Sequence, residues 1–76
     1  MSSEDFYKNL GTKIRLFRNE KGLTIAQLAE NAGIDDYFLG EIERAENKPS
    51  LDTLLKLANA LQVDVYKMVM FDCNGG

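Results

Sequence analysis

Between Thr24 and Asn47 the chain carries six carboxylates (Glu30, Asp35, Asp36, Glu41, Glu43 and Glu46) and one cation, Arg44, a local balance of −5. Carboxylates in such number can exchange protons, ligate metal, cap helices or accept hydrogen bonds from a partner. Acid–base catalysis near neutral pH usually draws on histidine, and the chain has none. Nucleophilic catalysis needs a base beside the nucleophile, and the one cysteine, Cys73, stands near the end of the chain. The same two facts leave a zinc site without a ligand set and exclude an internal disulfide. No enzymatic activity, metal or cofactor is therefore expected. The adjacent acids Asp35 and Asp36 fall where a helix begins, so capping explains them better than paired proton transfer.

Thr24 and Gln27 have the capping-box spacing and predict a helix start. Leu28, Ala29 and Ala32 form a narrow stripe of mostly small side chains, Gly33 supplies a left-handed helix end, and Ile34 inserts into the core. Asp35 then caps a second short helix, expected to run to Ala45. At 100° per residue Ile34, Phe38, Leu39 and Ile42 share one side, with Asp36, Gly40 and Arg44 opposite, Tyr37 beside that face, and Glu41 and Glu43 flanking it. Two short helices joined by a glycine turn make a helix-turn-helix, whose second helix places its outward face in the major groove of DNA. Asp36, Tyr37, Gly40, Glu41 and Arg44 thus fall at contact positions. A carboxylate there can accept from the cytosine amino group, and the Tyr37 ring can meet a thymine methyl. Phosphate contacts are expected from Lys13, Arg44 and Lys48, and from the backbone N–H groups at the helix starts around Thr24, Ile25 and Asp35.

The remaining elements must hold that motif. Phe6, Leu10, Ile14 and Phe17 recur at helical spacing and predict a first helix from Glu4 to Glu20, capped by Ser3. Gly11 inside it marks a close helix crossing, and Lys21-Gly22 ends it. Pro49 holds Lys48 extended, and Ser50 caps a fourth helix whose stripe is Leu51, Leu54, Leu55, Ala58 and Leu61, with Leu57 at its edge. Gln62-Val63 turns the chain, and Asp64 caps a last helix in which Val65 and Met68 complete the core. Val69, Met70 and Phe71 exceed what so short a helix can bury, which points to a dimer interface.

Seventy-six residues suit a single domain, 1–76, with 72–76 expected as a frayed tail. A chain of this size buries only about 60% of its unfolded surface, so added burial in a dimer is valuable. The 45% hydrophobic content suits a folded globule, and the net charge of −3 is unusual for a partner of nucleic acid. No apolar run nears the roughly 20 residues of a membrane span. Glu4 and Asp5 replace the basic start of a signal peptide, so a cytoplasmic location is expected.

From about Leu10 to Phe71 the chain resembles the xenobiotic-response-element (lambda repressor and Cro-like) family. The likeness rests on Leu10-Gly11, Ile14-Arg15, Arg18, Lys21-Gly22-Leu23-Thr24, Leu28-Ala29, Ala32-Gly33-Ile34, Ile42-Glu43-Arg44, Pro49-Ser50-Leu51, Leu54-Leu55, Leu57-Ala58 and Leu61. The resemblance implies an all-α, compact five-helix DNA-binding domain, acting as a dimeric transcriptional regulator on double-stranded DNA. It also implies a structural salt bridge between Arg18 and Glu43. Ile25 stands where many relatives have Gln, Ala45 and Glu46 replace a usual Gly and basic residue, and the acidic contact positions depart from the common Ser, Thr, Arg, Gln or Lys. A second reading keeps the fold and gives the acidic face to a protein partner, as in an antitoxin-like, anti-repressor or adaptor module.

Overall fold

The computed structural model describes residues 1–71, so the expectations for Cys73 and the 72–76 tail lie outside the described residues. Among the described residues five helices surround one core: α1 (Ser3–Glu20), α2 (Ile25–Ala32), α3 (Asp36–Glu43), α4 (Leu51–Leu61) and α5 (Val65–Val69). This is the all-α arrangement expected, with no strand among the described residues.

Capping chemistry sets most of the boundaries. The Ser2 hydroxyl, on an extended residue, accepts from the Asp5 backbone N–H at 3.0 Å. Ser3, the expected cap, is already helical. At α2 the capping box is complete: Thr24 Oγ1 accepts from Gln27 N–H, and Gln27 Oε1 accepts from Thr24 N–H. Gly33 (φ 74°) ends α2 in the left-handed region, where a Cβ would be strained. Asp35 Oδ2 accepts from Phe38 N–H at 3.2 Å and starts α3. That helix stops at Glu43, two residues before the expected end. Ala45 takes φ 60°, and Glu46 N–H returns to the Glu41 carbonyl at 2.8 Å. The closure is the one glycine normally serves, here carried by alanine at a steric cost of roughly 1–2 kcal/mol. Asp64 precedes α5 without a side-chain cap, and its carbonyl accepts from Lys67 N–H instead.

Leu10, Ile14, Leu28, Leu39, Ile42, Leu57, Leu61 and Met68 are fully buried. On α4 the buried set is Leu54, Leu57, Ala58 and Leu61, so Leu57 moves from the expected edge to the centre. Leu51 and Leu55 turn outward, 68% and 44% exposed. The i, i+3, i+4, i+7 face that meets α2 and α5 selects this set. The expected apolar surplus at the end of the chain also shrinks. Met70 is extended, which swings Phe71 back so that its ring meets Phe6 edge-on at 5.4 Å. Val69 and Phe71 pack on the core, leaving only Met70 of the three exposed.

α1 crosses α3 at Gly11. A Cβ placed there would lie 2.5 Å from the Glu43 carbonyl oxygen and 2.7 Å from that of Ile42. Alanine normally gains about 1 kcal/mol over glycine inside a helix. Overpacking costs about 1–3 kcal/mol, and here the obstacle is backbone, which cannot rotate away. Gly11→Ala is therefore expected to lower the urea midpoint despite its better helix propensity. A raised midpoint would show that the crossing has slack.

Candidate nucleic-acid interface

The outward side of α3 is placed by a buried ion pair at its end. Glu43 sits in the α1–α3 junction with its side chain 1% exposed. Arg18 Nε donates to Glu43 Oε2 at 2.7 Å, and Arg18 Nη2 to Oε1 at 3.1 Å, a two-point fork that fixes direction as well as distance. Arg18 Nη1 also donates to the Leu23 carbonyl at 2.9 Å, tying the same guanidinium to the turn before α2. Arg15 adds a longer contact, Nε to Glu43 Oε1 at 3.4 Å. Sequence reasoning missed the contacts of Arg15 and Leu23. Arg15 stands one helical turn before Arg18, which is the signal that it shares a face.

Held this way, α3 sets its first turn beside the start of α2. An open cleft of about 300 Å³ is lined by Ile25 and Ala26 of α2 and by Asp36, Tyr37, Gly40 and Arg44. Tyr37, at its rim, is 72% exposed. Gly40, expected to face outward freely, is buried: a Cβ there would meet Arg44 Nη1 at 3.1 Å, because the guanidinium lies across the glycine. Arg44 Nε contacts Glu46 Oε1 at 3.1 Å. Glu41 is half-buried, and its Oε1 accepts from Asn47 Nδ2 at 3.4 Å. The Thr24 and Asp35 side chains are engaged as caps, so they would offer a ligand neighbouring backbone N–H groups rather than free oxygens.

Arg44 also lines a second cleft, of about 310 Å³, with Ser3, Glu4, Tyr7, Lys8, Ala45 and Lys48. The Lys48 ammonium lies 5.4 Å above the Tyr7 ring, a cation–π contact that fixes it beside Arg44. Tyr7 and Lys8 were not anticipated here, since their separation from Lys48 in the chain hides the proximity. Lys13 stands apart from both clefts, its ammonium 5.8 Å from the Phe17 ring.

The Helix-turn-helix family profile matches residues 14–67. The chain belongs to this family. It is 42% identical over 60 residues to the immunity repressor protein of Bacillus phage phi105, aligning 79% of its own length and 42% of the repressor's. It is 37% identical over 65 residues to the control protein C.SmaI of Serratia marcescens, covering 86% of the chain and 77% of that protein. Among solved structures, the restriction-modification controller protein C.AhdI of Aeromonas hydrophila superposes with a TM-score of 0.81 at 34% identity, covering 82% of this chain and 94% of that one. SinR, the master regulator for biofilm formation, in complex with DNA, superposes at 0.76 with 35% identity, covering 80% and 98%. The chain thus spans less than half of the phage repressor's length and nearly all of the aligned SinR and C.AhdI chains.

Removing Arg18 strands a carboxylate that is almost wholly buried, at a cost of roughly 3–5 kcal/mol. Arg15, half-exposed, can recover part of that loss by moving in. Arg18→Ala is expected to be strongly destabilising and Arg15→Ala to cost under about 1 kcal/mol. The Arg18→Ala/Glu43→Ala pair should lose clearly less than the sum of its singles. Additive losses in denaturant melts would mean the pair is energetically idle.

Proposed function

We propose that this protein is a DNA-binding transcriptional regulator, acting as a homodimer and reading the major groove with α3. The observation that carries the reading is the single surface formed by the start of α2 and the outward side of α3, gathering Ile25, Asp36, Tyr37 and Arg44 around one open cleft. Support comes from a DNA complex of a relative whose aligned chain is almost fully covered. The ordered motifs from Leu10 to Leu61 support a place in the xenobiotic-response-element branch, with residues 1–76 as one domain. The relatives named above include a repressor, a control protein and a master regulator, and the sequence has no histidine, so a non-catalytic role fits best; a cytoplasmic location is proposed with it. No helix among the described residues is long and apolar enough to cross a membrane.

In this reading Asp36, Tyr37 and Glu41 discriminate bases, and Gly40 allows Arg44 to lie flat against the helix. Backbone N–H groups near Thr24, Ile25 and Asp35 meet phosphates together with Arg44, Lys48 and, more peripherally, Lys13. The dimer contact moves from the Val69, Met70 and Phe71 group to exposed apolar side chains on the packed pair α4 and α5 and just after it: Leu55, Tyr66 and Met70. Met70→Glu with Tyr66→Glu should shift the protein to monomer in sedimentation without lowering its melting temperature much. An already monomeric wild type at high concentration would remove the dimer from the proposal.

Binding to random DNA is almost wholly electrostatic, so Asp36 near the phosphates can only repel there. At an operator it can accept from cytosine and discriminate by about 1–3 kcal/mol. Asp36→Asn is expected to tighten binding to random DNA while narrowing the gap between operator and random sequence. Arg44→Ala should weaken both, and lower the slope of log affinity against log salt by about one unit. The acidic surface favours one competing reading, a module for a basic protein partner. Neutralising Asp36 and Glu41 without any change in random-DNA affinity, but with loss of a protein partner, would establish that reading instead.

A further inference from the structure

Arg44 is the sole cation between Thr24 and Asn47, and it borders both the cleft between α2 and α3 and the one between the start of α1 and the turn after α3. Its guanidinium is already in use. Nη1 and Nη2 lie over Gly40, and Nε meets Glu46 Oε1 at 3.1 Å. The backbone arranges this contact: Ala45 at φ 60° reverses the chain, and the Glu46 N–H bond to the Glu41 carbonyl closes the turn, bringing the Glu46 carboxylate back alongside residue 44. Resting on the DNA reading of this surface, we propose that Glu46 is a positioning residue that masks Arg44, an internal carboxylate occupying the place a DNA phosphate would take. A phosphate contact at Arg44 then has to displace Glu46.

The pair is suited to exchange. The Arg44 and Glu46 side chains are 48% and 54% exposed, so the contact is of the solvent-screened kind that contributes little and opens readily. This contrasts with Glu43, which is 1% exposed and cannot be traded for an outside anion. The consequence is specific to charge. In non-specific association each available cation counts, and holding the one cation of the first cleft against a carboxylate weakens attachment to arbitrary sequence. The αL closure at Ala45 is what gives Glu46 the reach to do so.

The test is a four-protein cycle: wild type, Glu46→Gln, Arg44→Ala and the double variant, each checked for a native melt and titrated with a random-sequence duplex at low and moderate salt. Glu46→Gln is expected to tighten binding roughly two- to five-fold, the range set by exposed ion pairs. The gain should vanish in the Arg44→Ala background, since the carboxylate acts through that guanidinium. Glu46→Ala serves as a second variant with the same expectation. Equal gains with and without Arg44 would overturn the masking and leave general repulsion by Glu46. No gain in either background would also overturn it. A wild type that fails to bind duplex even at low salt would remove the DNA reading of the surface, and the masking with it. Binding with an undiminished gain in Arg44→Ala would remove the masking alone.

Discussion

The Glu43 carboxylate, closed in between α1 and α3, is the interaction on which the rest of the molecule's geometry depends. A carboxylate this deep is costly unless both oxygens are satisfied. Arg18 supplies two donors and Arg15 a third. Because the Arg18 guanidinium also holds the Leu23 carbonyl, one planar group joins α1, the end of α3 and the approach to α2. Buried pairs of this kind add little net stability compared with apolar packing, and their value is directional. Three elements that a small core could let slide are held to one arrangement.

Close packing beside the pair serves the same end. Gly11 lets the α1 backbone approach the Ile42 and Glu43 carbonyls at a distance no side chain would permit. The short approach brings Arg18 within reach of Glu43, and the pair in turn fixes the rotation of α3. That rotation decides what reaches outward: Leu39 and Ile42 enter the core, and Asp36, Tyr37 and Arg44 line the open cleft. Recognition chemistry here follows from helix rotation, and helix rotation follows from one glycine and one ion pair.

The outward surface is poor in free positive charge. Arg44 meets Glu46, Lys48 lies over Tyr7, and Lys8 meets Glu4 at 3.7 Å. The two ion pairs are exposed and weakly bound, and the Lys48 side chain is exposed above a half-buried Tyr7, so all three cations stay usable while their pull on distant phosphates is lowered. A surface of this kind depends on close fit and on base-edge contacts more than on long-range attraction.

Local chemistry made much of the architecture legible in the sequence. Thr24 with Gln27, Gly33, Asp35 and Ser50 act within three or four residues of themselves, so the caps of α2, α3 and α4 follow from spacing alone. The apolar periods of α1 and α2 were equally plain, because their neighbours cover the faces that the period marks. Tertiary packing decided the remainder. Leu57, not Leu51 or Leu55, centres the buried face of α4, because α2 and α5 meet it there and several leucines fit the period equally well. Phe71 joins the core because Phe6, at the other end of the chain, offers its ring. Gly40 lies beneath Arg44 as its neighbour one helical turn back, but Arg44 meets Glu46 because Ala45 adopts a left-handed turn that its own side chain disfavours, which residue type does not announce. Residue type and spacing specify what can be settled within one helical turn; which of several compatible faces is buried depends on partners the chain brings from far away.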